Sequence, residues 1–108
     1  MMNNYLFVYH GGKEPESEEE FQSTIKAWQQ WYEGMGNAVV DGGNPVGPNI
    51  TVHAGGKVTN DGGSNPVTGY GVFKASDAEA SAELASKCPI LDAGGSVEVA
   101  QVFDMSQA

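Results

Sequence analysis

Five Gly-Gly pairs, at 11–12, 42–43, 55–56, 62–63 and 94–95, punctuate this chain of 108 residues and hold ten of its 15 glycines. Glycine enters left-handed backbone conformations that side chains disfavour, and it weakens any helix or strand it interrupts. Regular elements are therefore expected between the pairs. One pair follows the first strand, one turns a hairpin, and three lie in loops before later strands. Two of the loops are near-repeats, Asp41-Gly42-Gly43-Asn44-Pro45 and Asp61-Gly62-Gly63-Ser64-Asn65-Pro66. A phosphate cradle would need a helix N-terminus and a cation directly after the glycines, and a calcium loop would need alternating acidic ligands. Neither loop has these, so both read as turn chemistry. Gly42 and Gly43, as backbone that a ligand can approach closely, are retained as a candidate site edge.

The first strand is Tyr5-Leu6-Phe7-Val8-Tyr9, aromatic and β-branched. Alternation sends Tyr5, Phe7 and Tyr9 to one face and Leu6, Val8 and His10 to the other. Both faces are apolar, so the strand is expected to be central. Ser17 and Glu20 form a capping-box pattern, with Glu18, Glu19 and Glu20 at the positive end of the helix dipole. Phe21, Ile25, Trp28, Tyr32 and Met35 then recur at helical spacing as one apolar stripe, and Gly36 supplies the stop. Ala38–Val40 is a short strand. Ile50–His53 and Lys57–Thr59 read as a hairpin around Gly55-Gly56, and Tyr70–Lys74 as another strand. Ser76 and Glu79 open an alanine-rich helix that ends at Cys88-Pro89. Ser96 to about Phe103 is the last strand. Without the hairpin the order is βαββαβ, a ferredoxin-like α+β unit in a single domain spanning 1–108. Two helices cover one sheet face. The Tyr5, Phe7 and Tyr9 patch is expected on the other, buried against a second copy in a homodimer.

Composition removes several functions. Five lysines, no arginine and 14 acidic residues leave a formal charge of −9. Such a chain has no guanidinium fork for phosphate and no basic stripe to release counterions, so no nucleic acid is expected as a partner. An anionic membrane surface is excluded on the same ground. A single cysteine, Cys88, excludes an internal disulfide framework and a cysteine-based zinc cluster. No apolar run approaches a membrane span, and the start lacks the pattern of a secretory signal. A soluble, cytoplasmic domain without cofactor or metal is the expectation.

Along nearly its whole length the chain resembles the YCII-related family, in its DGPF-type branch. The resemblance rests on Tyr5–Tyr9, the Trp-containing first helix, Val40-Asp41-Gly42-Gly43, the stretch from Asp61-Gly62 to Gly69-Tyr70, Cys88-Pro89, and Gly94-Gly95-Ser96-Val97-Glu98-Val99. It implies a ferredoxin-like fold that pairs into a dimeric α/β barrel. Some members look like small-molecule lyases, with a first-helix histidine near an aspartate at the second strand as an acid–base pair. This chain departs there: the first helix has no histidine, and the nearest equivalent position is about Trp28. The name-giving Asp-Gly-Pro-Phe reads Asp61-Gly62-Gly63-Ser64.

Asp41 is the best single candidate for chemistry, as a partly desolvated base with His10 as its proton partner. Its alternative role is an Asx-turn within its own loop. His53, in the hairpin, is expected at the periphery. Tyr9, Trp31 and Tyr70, with Gly42 and Gly43, are the candidate ligand-binding residues. Trp28 and Tyr32, on the stripe with Ile25, are expected in the core. Cys88 is expected to be a buried small hydrophobe. Two functions follow: a cofactor-independent, elimination-type enzyme acting on a small organic molecule, or a non-catalytic small-molecule-binding or regulatory dimer.

Overall fold

β1 (Asn3–His10) runs through the middle of the molecule with a strand on either side. The computed structural model describes residues 2–107. The remaining elements are α1 (Glu18–Met35), β2 (Val39–Asp41), β3 (Thr51–Val52), β4 (Val58–Thr59), β5 (Val67–Ala75), α2 (Ala78–Ala85) and β6 (Ser96–Gln101). The main sheet has the order β2-β5-β1-β6 with every pairing antiparallel, and β3 and β4 form a separate two-stranded hairpin. The molecule is α+β, compatible with a ferredoxin-like arrangement.

The glycines of β5 explain how its aromatic neighbours pack. Phe7 of β1 lies opposite Gly71, and Tyr9 lies opposite Gly69. A Cβ on Gly71 would come within 2.7 Å of the Phe73 ring, and one on Gly69 within 3.1 Å of the Tyr9 ring. Rings therefore occupy the space that side chains on β5 would have filled. Phe7 and Phe73 are fully buried with ring centroids 4.5 Å apart, and Trp31 of α1 closes over both at 6.3 and 5.3 Å. The Trp31 indole N–H donates to the Leu84 carbonyl at 3.1 Å. That bond satisfies a buried indole and ties α1 to the last turn of α2.

Tyr5, Phe7 and Tyr9 thus form the core beneath the helices and not the open face, which corrects the sequence expectation. Alternation shows that a strand has two apolar faces but not which one the helices take. Here they take the face where β5 offers glycine. The uncovered face carries Leu6, Val8, Tyr70 and Val72, all half-buried.

Ser17 caps α1 by accepting from the Glu20 N–H at 3.1 Å. The Glu20 carboxylate accepts from the Glu16 N–H instead of closing a reciprocal box. α2 begins one residue later than the Ser76 pattern suggests, because Asp77 is the cap and accepts from the Ala80 N–H at 2.8 Å. No helix among the described residues is long and apolar enough to cross a membrane.

Two glycines should respond in opposite directions. Gly34 lies within α1, and an added Cβ meets nothing within 4 Å, so Gly34→Ala should stabilise by about 0.5–1 kcal/mol. Gly43 has φ +72°, and a Cβ there would lie 1.6 Å from the Tyr70 carbonyl oxygen. Gly43→Ala should therefore cost roughly 3 kcal/mol or more. Urea denaturation of the two variants checks both signs.

Candidate functional site

The apolar stripe of α1 divides into two parts with different fates. Met35 packs on the core from its C-terminal end. Phe21 and Ile25, in the first half, remain exposed and line an open groove of about 1240 Å³. Trp28 and Tyr32 form the inner wall of the groove, and the Gly42–Pro45 loop borders it together with Tyr70, whose carbonyl lies against that loop while its side chain belongs to the other sheet face. Gly11, Gly12 and Ile90 border one end. The Tyr32 hydroxyl donates to the Gly42 carbonyl at 3.1 Å, which fixes the wall to the loop. Gly43 has a packing reason to be glycine, because the loop there runs directly against the backbone of Tyr70 and Gly71, whereas a side chain on Gly42 would only touch the Tyr32 ring.

Tyr9 also lines the groove. Its ring meets Trp28 edge-on at 5.2 Å, and its residue surface is only 4% exposed. Among the described residues, its hydroxyl is the buried side-chain polar atom without a hydrogen-bond partner. Burial, with smaller contributions from Cys88 and Tyr32, pushes the phenol far above its usual range. It therefore stays protonated at any physiological pH, a donor with nothing to donate to. An orphaned buried hydroxyl costs about 1–3 kcal/mol, a cost that an acceptor reaching it would offset.

The sequence candidates separate in space. Tyr9, Tyr70, Gly42 and Gly43 lie along the groove, whereas Trp31 is buried in the core and is not part of its lining. Trp28 and Tyr32, expected in the core, are its half-buried walls. Helical spacing identifies a stripe but not how far along it the sheet provides cover.

Asp41 and His10 do not form a pair. Asp41 is exposed, and its Oδ1 accepts from the Gly43 N–H at 2.9 Å, the Asx-turn alternative. It stands level with Val72 and hence with Leu6. His10 lies four residues further along β1, about 13 Å away in that direction alone, with β5 in between. The His10 ring is buried, with Nδ1 donating to the Asn65 carbonyl at 2.9 Å and Nε2 paired with Glu98 Oε1 at 3.0 Å. It clasps the 64–66 loop to β1 and β6. Glu98 went unnoticed in the sequence because only strand register brings it beside β1. Among the described residues no group of three or more His, Cys, Asp or Glu side chains is placed to hold a metal ion.

Cys88 is 2% exposed, and burial pushes its thiol up to about 11, aided by the charge of Asp92 and opposed by a backbone hydrogen bond from Ile90.

Searches of protein-family models and of characterised proteins return no match to this chain.

Tyr9→Phe deletes the orphaned hydroxyl without changing the ring, so the ligand-free protein should become about 1 kcal/mol more stable in chemical denaturation. Cys88 should resist thiol reagents in the native state at pH 8, where roughly one thiol in a thousand is ionised, and react only on unfolding. The unfolded thiol, at 9.0, loses its proton before the folded one. The stability due to Cys88 is thus complete below pH 9 and is lost as pH rises to about 11. Denaturation midpoints across that window, compared with those of Cys88→Ala, measure the loss.

Proposed function

We propose that this protein binds a small, uncharged, planar organic molecule in the α1 groove and does so without catalysis. The partnerless Tyr9 hydroxyl, on a ring that packs edge-on against the Trp28 wall, carries the reading, and the ligand reaches it by displacing the side chains that cover it. Aromatic walls supply apolar contact, and a neutral phenol supplies one directed hydrogen bond to an acceptor such as a carbonyl oxygen. The absence of arginine and the −9 charge argue against an anion. The elimination-type enzyme loses its support, since its base is committed to its own turn and its proton partner lies elsewhere.

The element order and the strand order support reading the chain as a YCII-like, ferredoxin-like unit. In the same reading it is a homodimer that closes a dimeric α/β barrel, with the apolar open face of the sheet turned inward. We place it in the cytoplasm, in keeping with a lone cysteine held as a buried thiol.

Acetophenone and ethylbenzene test the groove, because they share a ring and a similar shape and differ in one carbonyl. Calorimetric titration should give about tenfold tighter binding of acetophenone to the native protein. Tyr9→Phe should abolish the difference. Equal affinities in the native protein, or a preference that survives Tyr9→Phe, would overturn the assignment.

A further inference from the structure

The β3–β4 hairpin has one face finished and the other bare. On the first, Thr51 faces Thr59 across the strands. The His53 Nε2–H donates to Thr59 Oγ1 at 3.0 Å, and Thr59 in turn donates to Asp61 Oδ1 at 3.1 Å. On the second face Val52 pairs with Val58, 66% and 53% exposed, and Ile50 two residues before is 66% exposed. A two-stranded hairpin is marginal in water unless its apolar face is covered. A polar network that holds the hairpin in shape while leaving three branched aliphatic residues in solvent describes half of an interface.

The surface of the whole chain shows how large that interface is. A compact monomer of this mass exposes about 5,700 Å², and this chain exposes 7472 Å². The excess of about 1,700 Å² matches what one protomer of an obligate homodimer buries, roughly 1,000–2,500 Å². The radius of gyration agrees, at 15.4 Å, against about 13 Å for a compact domain of this length. The hairpin is also anchored at its base to the start of β5. It leaves the body between Asn49, whose amide donates to the Val67 carbonyl, and Asn65, which His10 holds. The bare hairpin face thus projects from the same chain segment that enters β5, the strand that carries Val72 on the open sheet face.

We infer that the hairpin is a dimerisation arm, with Ile50, Val52 and Val58 of each copy packing on the second copy of this chain. This rests on the homodimer proposed above and adds the element that holds it together. A second copy fits better than an anionic membrane, because the chain has no basic cluster on the hairpin, where Lys57 is the one cation. Two copies at −9 repel, so association through the arm must strengthen when salt screens that charge.

Sedimentation equilibrium of the full chain tests this, alongside the triple variant Ile50→Thr, Val52→Thr, Val58→Thr. Threonine keeps the β-branched shape at positions that the monomer exposes, so folding should persist, with circular dichroism as the control. The native chain should be a dimer at micromolar concentration that tightens between 50 and 500 mM NaCl. The triple variant should dimerise on the order of 100-fold more weakly. A native monomer would overturn both the arm and the homodimer reading. A variant that dimerises like the native chain would overturn the arm alone, as would a dimer that loosens with salt. Acetophenone binding, read separately, reports on the groove whatever the outcome.

Discussion

The packing of aromatic rings over glycine decides the rest of this fold. Gly69 and Gly71 remove side chains from the helix face of β5, and the rings of Tyr9 of β1 and Phe73 of β5 take the space, with Phe7 packed against Phe73. Trp31 then seats on Phe7 and Phe73 and anchors α2 through the Leu84 carbonyl. A domain of this size has a small core, in which a few large rings must do most of the burial. Once they commit to one face, the helices must lie over it, and the opposite face is left with Leu6, Val8, Tyr70 and Val72 half-covered.

The groove is a by-product of the same commitment. The core reaches only part of the way beneath α1, so the stripe of that helix changes character along its length. Trp31 is interior, Trp28 and Tyr32 are wall, and Phe21 and Ile25 meet solvent. Tyr9 lies at the boundary between these regimes. Its ring belongs to the core and its hydroxyl has no partner there. A polar atom left unsatisfied in an otherwise apolar setting is retained against a stability cost. A ligand acceptor is the simplest compensation.

Polar side chains near the glycine loops serve the chain itself. Asp41 caps its own turn, Asp61 accepts from the Gly63 N–H and from Thr59, and His10 fastens the loop before β5. Asp-Gly-Gly is a sequence that turns readily, and its carboxylate is usually consumed in turning. An aspartate in such a loop that also served as a base would need a second arrangement of the same atoms.

Local pattern was sufficient for much of this. The order of strands and helices, the Ser17 cap, the stop at Gly36 and the hairpin around Gly55-Gly56 follow from periodicity and backbone preference, which act within a few residues. Helix limits shifted at α2, which starts later because Ser76 and Asp77 compete as caps and whose last residue is Ala85, before the expected end at Cys88-Pro89. Three matters belonged to tertiary structure alone: which face of β1 the helices cover, which rings of α1 stay at the surface, and which partner each polar group finds. Alternation and helical spacing are symmetric with respect to the first two, and strand register decides the third. Tyr9 was visible in the sequence as an aromatic residue. Its unpaired hydroxyl appears only when the surrounding chain is folded and every nearby acceptor is accounted for.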